Sequence, residues 1–338
     1  MDPFDTFFVG RTLNERWEVT ARRHVIHEAP SACRTYDASG PDNEVVIVKV
    51  LVPELGASLE EQRRQIDEFL YEIAIVDRCG ERNLRRVLRA LDAGRLAIPG
   101  TVPITVHYLV LEWADRDLRS FQAASDEEHL AASLRFLHEM ATALHELHFS
   151  RIVHQNLAPT NVLCRPDGRT KLGGFSHARS LDQPRPYGDV PLDQTRAPPE
   201  ILYGGTVNSF EDRCAVDMYH LGCLGCYLLT NAGTTVQLER RLPHLFHWTI
   251  WRGSFADVLP YLRVAHETLV RELEPAAHAM VRVELVRGLA QLTDPDPARR
   301  GHPRNLAGNG PRFGFERYIS LFIRLARQVE FHLLKRVS

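Results

Sequence analysis

The longest periodic stretch, residues 127 to 149 (EEHLAASLRFLHEMATALHELHF), restricts the fold most. Leu130, Leu134, Leu137, Ala141, Leu144 and Leu147 recur at helical spacing, which predicts a long helix with one apolar face. His138, His145 and His148 lie on the same face and read as its wet side. Without an Asp or Glu to complete a ligand set, they predict no metal site. The helix delivers the chain to Arg151-Ile152-Val153-His154 and then to Gln155-Asn156-Leu157-Ala158-Pro159-Thr160-Asn161-Val162-Leu163.

Upstream, residues 17–26 and 33–38 read as short strands. Residues 44–51 form an apolar run typical of a buried strand, interrupted by Lys49. Residues 59–79 carry a helical stripe of Leu59, Ile66, Phe69, Leu70, Ile73 and Val76 among charges. Val106 to Ala114 reads as a further buried strand. Between Arg11 and Ser39 there is no glycine, and the first two strands are joined by His27-Glu28-Ala29-Pro30-Ser31-Ala32.

A formal net charge of -2 over 338 residues provides no field that would draw nucleic acid or an anionic membrane, so neither is an expected partner. The start, MDPFDTFFVGR, lacks a basic signal-peptide region, and no span reaches the roughly 18 apolar residues of a transmembrane helix. A cytoplasmic location is the expectation. Of six cysteines, only Cys223 and Cys226 have a suggestive spacing. One such pair reads as two small apolar residues on a buried helix.

In combination these segments resemble the protein kinase family. His154 to Leu163 is similar to the catalytic loop H-R-D-x-x-x-x-N. Lys171-Leu172-Gly173-Gly174-Phe175-Ser176 is similar to K-L-x-D-F-G, and residues 44–51 to the strand bearing V-A-I-K. Arg196 to Glu200 resembles the end of the activation segment. Asp217 to Cys223 resembles the central helix of the large lobe, and Asp296-Pro297-Ala298-Arg299-Arg300 resembles D-P-x-x-R. Gly10-Arg11-Thr12-Leu13 and Arg16-Trp17-Glu18-Val19 are similar to the openings of bacterial members.

The resemblance implies a two-lobed α+β fold. A β-rich amino-terminal lobe would span residues 1–112 and a helical lobe 113–312, closed by an amphipathic helix at 313–338. It also implies a Lys49–Glu72 pair, a gatekeeper at Leu111, an Asp217 that holds the catalytic loop, a buried Arg300–Glu200 pair, and His154 packed on Phe175. The vestigial nucleotide pocket would comprise Lys49, Glu72, Ile47, Leu111, Glu112, Ala114, Asn161 and Leu163, with Glu112 and Ala114 offering backbone groups to adenine.

The catalytic positions depart from the family. Gln155 and Asn156 stand for Arg and Asp, Ala158 for the phosphate-neutralising Lys, and Gly174 and Ser176 for the Asp and Gly of the second motif. Asn156 cannot keep a proton near neutral pH, and magnesium prefers carboxylate oxygens. The glycine-free hairpin and the bulk of Ile47 further disfavour nucleotide. No catalytic residue, metal or cofactor is therefore expected, with ATP bound weakly or without metal at most. The expected role is a catalytically inactive homologue, a pseudokinase that serves as a scaffold or regulatory module. Its partner would be another protein, met through Phe313–Lys335 among other surfaces. The alternatives are a nucleotide sensor or a kinase-fold enzyme of other transferase chemistry.

Overall fold

The amino-terminal third is a sheet flanked by two helices. Helix α1 (Pro3–Phe8) leads into strands β1 (Thr12–Leu13), β2 (Trp17–Arg22), β3 (Cys33–Ser39) and β4 (Val45–Leu51). Helix α2 (Leu59–Glu81) follows, then β5 (Ala90–Ile98) and β6 (Ile104–Glu112). The strands pair antiparallel in the order β1-β2-β3-β4-β6-β5. The computed structural model describes residues 3–23, 33–52, 56–99, 104–189, 191–308 and 310–337, so the turn at 27–32 lies outside the described residues.

Alternation along β4 sorts its side chains between the two faces of the sheet. Val46, Val48 and Val50 pack with Trp17, Val19, Tyr36, Tyr108 and Phe8 on one face. On the other, Ile47 meets Leu88 and Ala114, and Leu51 meets Phe69 and Leu109. Lys49 sits between those two apolar neighbours, a charge on an otherwise apolar face.

The rest of the chain is mostly helical. Strand β7 (Arg116–Asp117) precedes α3 (Asp126–Phe149), and then come β8 (Ile152–Val153), β9 (Val162–Cys164), β10 (Thr170–Leu172) and β11 (Arg179–Ser180). Helices α4 (Pro199–Leu202), α5 (Phe210–Thr230), α6 (Thr234–Glu239), α7 (Phe255–Ala276), α8 (Arg282–Leu292), α9 (Pro303–Leu306) and α10 (Glu316–Val337) complete it. Ser125 caps α3 by accepting the Glu128 amide, and Asp126, Glu127 and Glu128 in the first turn complement the helix dipole. Helix α5 runs through the core. A Cβ at Gly222 would lie 2.3 Å from Thr293 Cγ2, so glycine there lets α8 approach closely. Cys223 and Cys226 are buried on α5, and all six cysteines are free thiols.

Three sequence expectations change. On α2 the buried set is Phe69, Tyr71, Glu72, Ile75, Val76 and Cys79, whereas Leu59 is 85% exposed. The helix is rotated so that Tyr71 and Glu72 face inward to make polar contacts. On α3, His148 is not on a wet face, because its Nε2 lies 2.9 Å from the buried carboxylate of Asp217. Likewise His138 Nδ1 lies 3.1 Å from the Ile319 carbonyl. Finally, the basic residues Arg324, Arg327, Lys335 and Arg336 suit the dipole at the end of α10 by sequence alone, but Arg324 and Arg336 also pair with Glu284 and Glu127 of other helices.

Helix α10 lies along α3 and buries Tyr318, Phe322, Leu325, Ala326 and Val329, with Phe315 buried just before it. Its apolar face is thus covered by the same lobe. No helix among the described residues is long and apolar enough to cross a membrane.

Arg300 is fully buried, with Nη1 and Nη2 at 2.7 and 2.8 Å from the two Glu200 carboxylate oxygens and Nε donating to the Asp294 carbonyl at 3.0 Å. Removing one partner of such a pair leaves the other charge desolvated. Arg300→Ala should therefore cost about 3 kcal/mol or more in urea unfolding. A loss below about 1 kcal/mol, the range of an exposed pair, would contradict this role.

Candidate functional site

The cleft between sheet and helices is organised by Asp217 on α5. One carboxylate oxygen accepts the His154 amide at 2.8 Å and the other the Gln155 amide at 2.6 Å. His148 and the Gln155 side chain complete its shell, at 2.9 and 3.2 Å. Burial would raise the Asp217 pKa, but these hydrogen bonds and neighbouring imidazoles hold it below the ordinary value. The pull keeps Gln155 at a positive φ of 62°, a conformation that survives only when its surroundings enforce it. Gln155 is buried, and its amide nitrogen also donates to the Arg213 carbonyl at 2.8 Å. The His154 and Phe175 rings meet edge-on, 4.9 Å between centroids.

Lys49 Nζ lies 2.7 and 2.8 Å from the two Glu72 oxygens. Burial alone would lower the lysine pKa, yet the carboxylate offsets this and the net shift is upward. Helix α2 is held in this position by β11 and the segment after it. Tyr71 Oη donates to the Gln183 carbonyl at 3.0 Å and accepts the Ser180 amide at 3.1 Å. Arg78 pairs with Asp182, and Tyr187 Oη donates to Asp67 at 2.7 Å. The sequence did not expose these ties.

Where a kinase keeps its base, Asn156 is a bridge. Its Nδ2 lies 3.3 Å from His177 Nδ1, and Arg196 donates to its Oδ1 at 3.3 Å. An amide oxygen facing a guanidinium is a poor proton acceptor. Ala158 is buried and offers no charge. Ser176 Oγ lies 3.2 Å from His177 Nδ1, and its carbonyl accepts from Arg185 at 2.7 Å.

The family's nucleotide arrives with magnesium, and the donor set here does not fit that ion. Gly174 has φ +74°, and a Cβ placed on it would lie 2.3 Å from Asn161 Oδ1 and 2.4 Å from its Cγ. The Asn161 carboxamide fills the space next to Gly174 and donates to the Asn156 carbonyl at 2.8 Å. Gly174 itself supplies no carboxylate, and magnesium binds through hard, charged oxygens. Among the described residues no group of three or more His, Cys, Asp or Glu is placed to hold a metal ion.

The adenine side of the cleft is also altered. Ile47 is buried against Leu88 and Ala114, with Leu111, Trp113 and Leu163 packed around them. Arg23, just beyond β2, reaches across the hinge. Its Nη2 donates to the Ala114 carbonyl at 2.7 Å and the Asp115 carbonyl at 3.2 Å. Its guanidinium lies 4.3 Å from the centroid of the Trp113 ring, and Asp37 anchors it at 3.1 Å. A hinge carbonyl expected to face adenine thus already has a donor. Glu112 also uses its side chain, which accepts the Arg89 amide at 2.8 Å and pairs with Arg165 and Lys171. Both arrangements escaped the sequence reading, which considered only backbone groups here.

A two-lobed fold, a lysine–glutamate pair and an aspartate-held loop in this order describe a protein kinase domain. Family comparison agrees: a model described as "Protein kinase domain" matches residues 34–241, more than half the chain, and the chain belongs to that family. It is 32% identical over 126 residues to cyclin-dependent kinase G1 of Arabidopsis thaliana, covering 37% of this chain and 20% of that protein. Cyclin-dependent kinase 2 of Caenorhabditis elegans is 31% identical over 129 residues, 37% of this chain and 34% of the relative. A probable cell division protein kinase of Encephalitozoon cuniculi is 24% identical over 173 residues, 51% and 59% of the two chains. The chain therefore spans only part of the length of these curated relatives. All three are eukaryotic.

Two expectations follow from this geometry. Gly174→Asp adds a left-handed residue at a cost of about 1 kcal/mol or more and collides with Asn161. Asn161→Ala should then cost less in the Gly174→Asp background than in the unaltered chain, a coupling of at least about 0.5 kcal/mol by double-mutant cycle. Simple additivity would contradict the packing described.

The second expectation concerns acid. Burial lowers the pKa of His177 to about 4, of His220 to about 3 and of His266 to about 4. The unfolded imidazoles bind protons near about 6.5, so these groups contribute stability that is complete above that pH and is lost as pH falls toward their folded values. The melting temperature should fall from pH 7 to pH 5, less steeply in His177→Gln. An unchanged slope in that variant would rule out His177 as a contributor.

Proposed function

We propose that this kinase domain does not transfer phosphate and acts as a pseudokinase, a protein-binding regulatory module built on an intact two-lobed frame. The observation that carries the reading is the Asn161 carboxamide packed into the space beside Gly174, where the family's magnesium-binding carboxylate would begin. The loss of a base at Asn156 and the Arg23 bridge over the hinge point the same way. A positioned general base is worth about 10²- to 10⁴-fold in rate, and its absence adds to the loss of the metal. The frame is maintained without either, because Asp217, Lys49–Glu72 and the contacts of Tyr71 and Arg78 need no ligand.

The Lys49–Glu72 pair favours one second reading, a sensor that binds nucleotide without metal. The opening Gly10-Arg11-Thr12-Leu13 supports a bacterial-type branch, although the reported relatives are eukaryotic, and the proposal does not depend on that affiliation. A cytoplasmic setting and a protein partner belong to the same proposal. The apolar face of α10 is occupied by its own lobe, so a partner would meet its outer side, where Phe331 and Leu334 are exposed.

Thermal-shift titration with ATP, with and without magnesium or manganese, tests this. The expected result is no metal-dependent shift and no release of label from radiolabelled ATP. Metal-independent stabilisation would select the sensor. Metal-dependent binding with turnover that disappears in Lys49→Ala would overturn the proposal.

A further inference from the structure

A cavity of about 680 Å³ lies behind the hinge, bounded by the end of α2, the segment leading to β5, Glu112, α3 and the β9–β10 turn. Its lining carries six cationic side chains, Arg85, Arg86, Arg89, Arg165, Arg169 and Lys171, against the carboxylates of Glu112, Glu146 and Asp167. The whole chain has a net charge of -2, so this is a local concentration of positive charge rather than a general property of the surface.

The cations divide into two groups. Arg86 is committed to Glu139 at 2.5 Å, while Arg165 and Lys171 share Glu112. The guanidiniums of Arg85, Arg89 and Arg169 are exposed and have no side-chain partner among the described residues. Mutual repulsion of unpaired guanidiniums around one concave space is relieved by an anionic guest. Arginine's planar fork suits carboxylate or phosphoryl oxygens.

We propose that this cavity docks an acidic segment of a partner polypeptide, one that presents several carboxylate or phosphoryl groups together. The proposal rests on the reading of this chain as a protein-binding module and supplies the chemistry of its partner. A peptide is favoured over nucleic acid because no Phe, Tyr or Trp lines the cavity, and single-stranded binders combine a basic groove with aromatic stacking platforms. Glu112 connects the cavity to the hinge, since its backbone amide donates to the Arg89 carbonyl at 3.0 Å while its carboxylate accepts the Arg89 amide. A guest bound by Arg89 would therefore touch the same segment that Arg23 bridges from the other side.

The test is fluorescence anisotropy of the full chain, without nucleotide, using labelled oligoglutamate, a peptide with two phosphoserines, oligoglutamine and a single-stranded oligonucleotide. The expected result is binding of oligoglutamate, of the phosphoserine peptide, or of both, the comparison identifying the preferred anion. Oligoglutamine should not bind, and affinity should fall in about 1 M salt, where the Debye length is about 3 Å. The exposed triple variant Arg85→Ala, Arg89→Ala and Arg169→Ala should weaken binding about tenfold or more while melting like the parent, and Arg89→Glu alone should weaken it measurably. Arg240→Ala, at an exposed arginine outside the cavity, should bind as the parent does. Failure of both acidic peptides to bind, unchanged affinity in the cavity arginine variants, or tighter binding of the oligonucleotide than of either peptide would overturn the proposal. ATP turnover would sink the pseudokinase reading and leave the peptide result standing, so the two can fail separately.

Discussion

The carboxylate of Asp217 is the point on which the cleft depends. It is fully buried and ionised, and it holds two consecutive amides of the loop that begins at His154. A buried carboxylate is costly unless its lone pairs are satisfied, and here two amides, an imidazole and a carboxamide meet it. That cost explains the local sequence. His148 has to sit on the inner side of α3, Gln155 has to accept a left-handed backbone, and α5 has to be apolar around its one buried acid. The loop follows from a helix that lies elsewhere in the chain.

The same frame separates architecture from chemistry. Positions that contact the frame, His154, Phe175, Glu200 and Arg300, make the ion pairs and ring contacts that a two-lobed domain needs. Positions that would contact a phosphate or a metal, Asn156, Ala158, Gly174 and Ser176, are neutral. The gaps do not remain open. Asn161 leans into the space at Gly174, Arg196 and His177 bracket Asn156, and Arg23 covers a hinge carbonyl. Each of these contacts ties cleft residues to one another and needs no ligand to form.

Much of the fold was legible because its signals are local. The period of residues 127–149, the buried run at 44–51 and the ordered motifs located α3, β4, the Lys49–Glu72 pair and the Asp217 tether. Strand β5 escaped because Ala90 to Ile98 mixes small, charged and apolar residues without alternation. The face of α2 was misjudged because the leucines at 59 and 70 outweigh Tyr71 and Glu72 in a hydrophobic pattern, although those two make the polar contacts that set the rotation. His148 was misread for a related reason, since a histidine's burial depends on a partner 69 positions away. Arg23 and the side chain of Glu112 could not be read at all. Their roles come from segments brought together only by folding, and isolated charges in a sequence normally mean solvent.

The central claim is that the loop from His154 is held by the protein itself, with neither nucleotide nor metal. Amide hydrogen exchange of the ligand-free chain tests this at the two tethered positions. The account predicts that the His154 and Gln155 amides are protected to nearly the free energy of global unfolding, and that magnesium and ATP leave them unchanged. Rapid exchange of these amides in the free protein, slowed once magnesium and ATP are added, would contradict it.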